Sequence, residues 1–171
     1  LFIEAIILYY FKFLLKFDSP GLPEQETGAH VIVNRILWAC GYHVPEDFLV
    51  HVRTADLVLA PDAYVRDNEV DSPRPLTRAE LERRIHTTDR DGRGGYRAIA
   101  SHWLPGKPLG GHPAEGVRDD DANDRIAHEM RRDLRGLYAI AAWLDHTDIQ
   151  EGNFLDMWMA DPADPRRHYV K

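Results

Sequence analysis

The sequence predicts an α+β fold in two parts, a sheet-rich N-terminal part with one long helix and a C-terminal part that begins with a helix. Apolar and polar residues alternate with a period of two over residues 11–18, as in a strand with one buried face. Apolar residues recur at helical spacing over residues 28–41 and again over residues 126–144. Between these helices, residues 105–116 are rich in glycine and proline, and this change of composition predicts a hinge.

The first seventeen residues are apolar except for three charged side chains, and they contain no small-residue cleavage site. Strands are therefore favoured over a targeting segment, and no membrane span is expected. The strand over 11–18 leads through a proline-containing loop to the helix over 28–41. Thr27 is expected to cap the start of this helix, and Gly41 suits the left-handed position after its end.

Further strands are predicted from β-branched and aromatic content over residues 42–52, 56–61 and 96–104. A short helix is predicted over residues 75–85. Thr77 and Glu80 have the spacing of a capping box, and Leu76 and Leu81 have the spacing of a hydrophobic staple.

The C-terminal part is predicted to start with the strongest helix, over residues 126–144, and to continue with a polar loop and a hairpin. The helix would bury one face, formed by Ile126, Met130, Leu134, Leu137, Tyr138, Ala141 and Leu144. The hairpin strands are predicted over 154–159 and 167–171. The resulting division is an N-terminal part over residues 1–104, a connector over 105–116 and a C-terminal part over 117–171.

Charge and cysteine content limit the classes of function. A net charge of -7 argues against a nucleic-acid partner, because binding to phosphate backbones needs clustered Lys and Arg. The acidic run over residues 118–125 is interpreted as a solvated face or loop. The single cysteine, Cys40, cannot form an internal disulfide and is expected to be buried and inert, which fits a reducing, cytoplasmic location.

The stretch HTDIQEGN, residues 146–153, contains the most specific pattern in the chain. Phosphoryl transfer from a nucleotide needs a cation on the phosphates, metal ligands and a carboxylate that orients the attacking hydroxyl. In a kinase-type site, that carboxylate and an asparagine metal ligand lie on one loop with the pattern H-x-D-x-x-x-x-N. His146, Asp148 and Asn153 match this spacing.

The same stretch, including Gly152, resembles the catalytic loop of aminoglycoside phosphotransferase-like kinases, and its GNF resembles that of HipA-like kinases. The strand that carries Lys16, followed by a helix and a G-x-x-V-P segment at residues 41–45, is similar to the N-terminal lobe of both. Residues 121–144 resemble a group of uncharacterised bacterial kinase-like proteins. The resemblance extends from about residue 11 to the end of the chain.

The resemblance implies a protein-kinase-like fold with two lobes that uses ATP and Mg²⁺ and phosphorylates an unknown hydroxyl acceptor. It makes Asp148 the catalytic base or orienting carboxylate and Asn153 a magnesium ligand. Lys16 would hold the nucleotide phosphates, and His146 would brace the loop. Lys16 and Asp148 are then expected to face one groove.

The chain also departs from the kinase pattern. The helix position expected to hold an acid that pairs with Lys16 is occupied by His30, and Glu26 is predicted to precede the helix. No glycine-rich loop precedes Lys16, and no second metal-binding aspartate follows the hairpin. These departures suggest a kinase fragment that lacks both ends and is inactive alone.

Two alternatives stay open. One is a pseudokinase or nucleotide-binding module without turnover. The other is a metal-dependent hydrolase that uses His146, Asp148 and other histidines. The remaining histidines, including His102, His112 and His128, show no fixed metal-ligand spacing.

Overall fold

The structure is a computed structural model that describes residues 2–7, 11–65 and 74–170, the first of these ranges by its backbone alone. The chain forms a mixed α+β structure with small antiparallel sheets and divides into two compact units, Leu1–Trp103 and Leu104–Lys171. Each unit is described by itself.

The first unit is built on a four-stranded antiparallel sheet. Its strands, in chain order, are β1 (Phe2–Ile7), β2 (Phe11–Phe17), β3 (Asp47–Val52) and β6 (Tyr96–His102). In the sheet they lie in the order β1-β2-β6-β3. A separate two-residue ladder joins β4 (Tyr64–Val65) to β5 (Arg74–Pro75). The strand predicted over 11–18, the strand within 42–52 and the strand over 96–104 are confirmed.

One face of the sheet forms the hydrophobic core of this unit. Alternate residues of β2 and β6 point into it, and Phe17 and Ala98 are fully buried there. Helix α2 (Arg78–Ile85) contributes Leu81 and Ile85 to the same core. The helix predicted over 75–85 is confirmed, and its cap is also correct, because Thr77 Oγ1 accepts a hydrogen bond from the Glu80 N–H at 3.3 Å.

The opposite face of the sheet carries helix α1 (Gln25–Ala39), which lies against β2, β3 and β6. This helix is less deeply packed than its apolar pattern predicts. Ile32 and Trp38 are apolar residues of the predicted helix, but they are 59% and 72% exposed. Cys40 is also exposed, which corrects the prediction of a buried, inert thiol. Gly41 has the predicted left-handed conformation, with a φ of 90°.

The strand predicted over 56–61 does not form. A 3₁₀ turn, Thr54–Asp56, follows β3 directly, and Asp56 accepts hydrogen bonds from the Arg53 backbone and guanidinium. This turn takes the chain away from the sheet, so Leu57 and Leu59 pack on the core without a partner strand. Alternating apolar residues were present, but a strand also needs a neighbouring strand to bond its backbone groups.

The second unit contains a three-stranded antiparallel sheet in the order β7-β8-β9 and one α-helix within the described residues. Its strands are β7 (Lys107–Gly110), β8 (Asp156–Ala160) and β9 (His168–Val170). The predicted hairpin of β8 and β9 is confirmed. The glycine- and proline-rich stretch over 105–116 differs from the predicted connector, because β7 lies within it and pairs with β8.

Helix α3 (Arg132–Trp143) is shorter than the helix predicted over 126–144. Its end agrees with the prediction, but its first turns are replaced by a 3₁₀ turn, His128–Met130, and an extended Arg131. His128 is buried and its ring is bonded to Asp124 and to the Pro113 carbonyl oxygen. These tertiary bonds override the helical pattern, and Ile126 and Met130 of the predicted buried face are exposed.

None of the helices in the described ranges combines the length and the apolar character that crossing a bilayer requires.

Candidate functional site

Lys16 lies on β2 and faces helix α1, where it meets an acidic partner. Its Nζ is 3.4 Å from Glu26 Oε2, and both side chains are about one-third exposed. The Ser19 hydroxyl donates a hydrogen bond to the other oxygen of the same carboxylate. This bond is the main cause of a lowered pKa at the Glu26 carboxyl; burial opposes it, and the Lys16 ammonium adds to it.

The start of α1 explains why the sequence did not identify this pair. Thr27 does not cap the helix but lies in its first turn, and it is buried. The Asp18 carboxylate accepts hydrogen bonds of 2.8 Å from both the Thr27 N–H and the Thr27 hydroxyl. Asp18 therefore does the work of a cap from the end of β2. The helix begins at Gln25, so Glu26 lies inside it, which corrects the prediction that Glu26 precedes the helix.

His30, which stands where the pairing acid was expected, has another partner. Its Nε2 is 2.7 Å from Asp47 Oδ2 on β3, and the Asn34 amide donates to the same oxygen at 2.6 Å. The Asp47 side chain is only 3% exposed. The contacts of His30 and Asn34 thus hold α1 against β3, while Glu26 holds it near β2.

The predicted catalytic loop follows the end of α3. Asp145 has a φ of 53°, and the His146 backbone N–H donates to the Ala141 carbonyl at 2.8 Å, so the chain leaves the helix in a defined direction. Asp148 is exposed, and its carboxylate accepts a hydrogen bond from the Gln150 side chain at 3.2 Å.

Asn153 closes this loop on itself. The loop ends in a 3₁₀ turn, Glu151–Asn153, and the Asn153 Nδ2 donates to the Asp148 carbonyl oxygen at 2.9 Å. This bond brings Asp148 and Asn153 together at the two ends of one loop. The Asp148 carboxylate and the Asn153 amide oxygen are both on exposed residues.

A buried polar cluster, formed by His112, Arg118, Asp156, His128 and Asp124, lies in the same unit as this loop. The Arg118 side chain is 8% exposed and donates to Asp156, Asp120 and the carbonyls of Leu109 and Gly111. Arg118 was predicted to belong to a solvated run, and this is wrong. Its carboxylate partners and the two carbonyls compensate the burial of its charge.

The electrostatics of the cluster favour ionised carboxylates. Burial raises the pKa of the Asp156 carboxyl, but the hydrogen bonds from His112 and Arg118 outweigh burial, so the pKa lies below its ordinary value. The bonds to Asp120 and Asp156 raise the pKa of Arg118 in turn, against the effect of burial. Nothing in the local sequence indicated this cluster, since its members come from three separate segments.

The second unit also contains a cavity of about 260 Å³ beside Arg118, lined by Lys107, Leu109, Arg118, Asp120, Asp121, Trp158 and Val170. The Trp158 ring stacks on His168, with ring centroids 5.1 Å apart. All five N–H groups of Arg118 point to protein oxygens, so its charge is already engaged. The candidate site residues His146, Asp148 and Asn153 do not line this cavity.

Magnesium, which the kinase resemblance implies, suits the donors of the loop. Because the Asn153 nitrogen bonds the Asp148 carbonyl, the amide oxygen is the atom that would hold the metal. Mg²⁺ prefers oxygen ligands and commonly binds through one or two protein groups, with phosphate oxygens and water completing its shell. Within residues 2–7, 11–65 and 74–170, no group of three or more His, Cys, Asp or Glu side chains is arranged to hold a metal ion.

Lys16 belongs to the first unit, and Asp148 and Asn153 belong to the second. The expectation that Lys16 and Asp148 face one groove therefore stays a prediction. Comparison of the chain with protein-family models, with curated proteins and with solved structures gives no match in any of the three sets. The resemblance to kinases accordingly rests on the residues themselves.

Proposed function

We propose that the chain is a kinase-like phosphotransferase that transfers the γ-phosphate of ATP to a hydroxyl group of an acceptor. The observation that carries the proposal is the Lys16–Glu26 ion pair between a strand and the helix that follows it. Protein kinases place such a lysine–glutamate pair at the nucleotide phosphates, with the lysine on a strand and the glutamate on a helix. The sequence analysis predicted no partner for Lys16, and both residues of the pair lie outside the HTDIQEGN stretch. The pair is therefore an observation independent of that motif.

The loop supplies the second half of the argument. Asp148 has an exposed carboxylate that can accept the proton of a substrate hydroxyl, and Asn153 has an exposed amide oxygen at the other end of the loop. His146 supports the loop through its backbone N–H, which bonds the last turn of α3. A carboxylate and an amide at this spacing are what the kinase-type loop requires.

In the proposed reaction the acceptor hydroxyl lies against Asp148, which orients it and takes its proton. The acceptor oxygen then forms a bond to the γ-phosphorus, while the bond from that phosphorus to the bridging oxygen breaks and ADP leaves. Lys16 holds the phosphates during this transfer, and Asn153 would hold magnesium. When bound, magnesium supplies positive charge that neutralises the phosphate oxygens.

The test is a titration with a non-hydrolysable ATP analogue, in the presence and in the absence of Mg²⁺. Lys16→Met is expected to weaken nucleotide binding by about 10- to 100-fold, because one charge-assisted contact contributes about 1.5–3 kcal/mol. The matched control is Lys12→Met, on the same strand and the same face of the sheet. Lys12 packs its ammonium over the Trp103 ring at 4.3 Å and is not expected to matter for the nucleotide.

Absence of nucleotide binding in the unmodified protein, with and without Mg²⁺, would reject the proposal. Equal losses in the Lys12 and Lys16 variants would reject the role of Lys16. A pseudokinase differs from the proposed enzyme only in the next step, since it would bind nucleotide without transferring phosphate. Measurement of ATP turnover separates these two possibilities.

A further inference from the structure

We propose that His112 is a positioning residue that sets the geometry of the loop over residues 148–153 through Asp156 and Phe154. The inference rests on the proposed function for the roles of Asp148 and Asn153. His112 follows β7 in the chain and lies far in sequence from the loop. It nevertheless belongs to a segment that contacts the loop and the residues just after it.

The first contact is between backbones. A Cβ atom at Gly111 would lie only 1.8 Å from the Glu151 carbonyl oxygen. The two backbone segments therefore approach more closely than a residue with a side chain at position 111 would permit. Glu151 begins the 3₁₀ turn that ends at Asn153. The position of Gly111 therefore limits where this turn can lie.

The second contact is through the His112 ring. It packs on Phe154 with ring centroids 4.4 Å apart, and Phe154 directly follows Asn153 in the chain. On another side the ring meets His128, with centroids 4.9 Å apart and planes at 78°. His128 is itself held by Asp124 and by the Pro113 carbonyl. The ring is thus confined between a fixed histidine and the residue beside the candidate magnesium ligand.

The third contact fixes how the ring is turned. His112 Nδ1 is 3.0 Å from Asp156 Oδ1, and because a carboxylate oxygen accepts, Nδ1 carries the proton. Asp156 cannot turn to follow a moving ring, since its other oxygen accepts from Arg118 Nη1 at 2.7 Å. Arg118 is buried and bound to the Leu109 and Gly111 carbonyls. Hydrogen bonds from His112 and Arg118 therefore hold Asp156, just after the loop, against residues 109–118.

Residues that orient a metal ligand without touching the metal typically change metal affinity or activity by roughly 10–100-fold when they are replaced. His112 contacts Phe154 and Asp156, which follow Asn153 in the chain, and it would act on Asn153 through them. Its loss is expected to loosen the 3₁₀ turn, so that the Asn153 oxygen is less often in the geometry that magnesium needs.

The experiment compares His112→Phe with His112→Asn. Phenylalanine keeps an aromatic ring against Phe154 but removes the Nδ1 donor. Asparagine removes the ring, but its amide nitrogen can occupy the place of Nδ1 and donate to Asp156. The control for a histidine-to-phenylalanine change elsewhere is His43→Phe, at an exposed position of the first unit.

Two readouts are measured on each variant. One is hydrogen exchange of the Asn153 and Phe154 amides, which donate to the Gln150 and Glu151 carbonyls at 2.9 and 3.2 Å. The other is the Mg²⁺ concentration needed for half-maximal binding of a non-hydrolysable ATP analogue. His112→Phe is expected to speed exchange at these two amides and to raise the Mg²⁺ requirement roughly 10–100-fold. His112→Asn keeps a donor to Asp156 but loses the ring packing on Phe154, so both of its values are expected to lie between those of His112→Phe and the unmodified protein.

Three results would overturn the inference. They are unchanged loop exchange in His112→Phe, faster exchange spread equally over α3, and a Mg²⁺ requirement that does not move although the loop loosens. The hydrogen-exchange readout needs no nucleotide. A protein that binds no nucleotide but whose loop responds to His112 would therefore reject the proposed function and retain the structural role of His112.

Discussion

Glu80 illustrates, at the scale of single residues, how a charged side chain on a helix becomes part of the structure. Its side chain is only 7% exposed, and Arg74 donates two hydrogen bonds to its carboxylate at 2.5 and 2.6 Å. Arg84, one turn later, donates two more, at 3.2 and 3.1 Å. The bonds from Arg74 are the main cause that lowers the pKa of Glu80 from 4.5 to about 2; burial opposes them, and Arg84 adds to them.

The lowered pKa predicts how stability depends on acid. The unfolded chain binds a proton at Glu80 before the folded protein does, so the contribution of Glu80 is fully present above about pH 4.5. This contribution is lost as the pH falls toward about 2. In Glu80→Gln, the deficit in unfolding free energy relative to the unmodified protein should therefore shrink as the pH falls through this window. Urea unfolding at a series of pH values measures it.

The control for this measurement is Glu82→Gln. Glu82 lies on the same helix and is bonded to Arg78, but its side chain is 41% exposed. Surface pairs of this kind contribute little. If the deficit in Glu80→Gln stays constant down to about pH 2, the ion pairs of Glu80 do not account for its place in the structure.

At the scale of elements, the start of α1 depends on a residue outside the helix. Asp18, at 4% exposure, comes directly after β2 and bonds both the backbone and the hydroxyl of Thr27. This contact fixes the first turn of α1 relative to the end of β2. Glu26, the residue before Thr27 on α1, is thereby placed beside Lys16 on β2.

Replacing Asp18 with alanine is expected to lower the free energy of unfolding by about 1–3 kcal/mol, because it removes a cap and leaves a buried hydroxyl and N–H without an acceptor. Asp18→Asn, which keeps one acceptor oxygen, should lose less. Urea unfolding gives both values. An alanine variant as stable as the unmodified protein would show that α1 does not need this contact.

The Asp18 variants also test the Lys16–Glu26 pair. If the contact between Asp18 and Thr27 sets the position of Glu26, Asp18→Ala should weaken nucleotide binding under conditions where the protein is still folded. Normal affinity in that variant would separate the stability of α1 from the proposed site.

At the scale of the whole molecule, the proposed function assigns separate roles to Asp148 and Asn153. The carboxylate of Asp148 is expected to act on the acceptor and not on the nucleotide. Asp148→Asn should lower turnover by ~10²–10⁴-fold and leave nucleotide affinity near normal. Asn153→Ala should raise the Mg²⁺ requirement, because it removes a metal ligand.

Asp145→Asn is the matched control for the Asp148 variant. It makes the same chemical change three residues earlier, at a position with a φ of 53° that asparagine adopts readily. It should leave turnover unchanged. Full turnover in Asp148→Asn would mean that HTDIQEGN is a polar turn and not a catalytic loop.

Much of the fold could be predicted because its signals are local. The alternation in β2, the capping residue of α2 and the glycine after α1 each depend on a few neighbouring residues, and each is found in the structure. The loop from His146 to Asn153 is a similar case, since its spacing lies within one continuous stretch. The closing hydrogen bond between Asn153 and Asp148 also forms within that stretch.

The sequence by itself determined the order of most strands and helices, the α+β class and the place of the loop after α3, because short-range preferences of backbone and side chain decide these features. Only the tertiary structure decided the partner of Lys16, the burial of Arg118 and the late start of α3. Each of these depends on contacts between separate segments, where one hydrogen bond or buried charge outweighs a local pattern. Periodicity within one segment predicts a strand or a helix. It carries no information on which residues of another segment will contact that element, and this is the physical reason that the elements were predicted and their contacts were not.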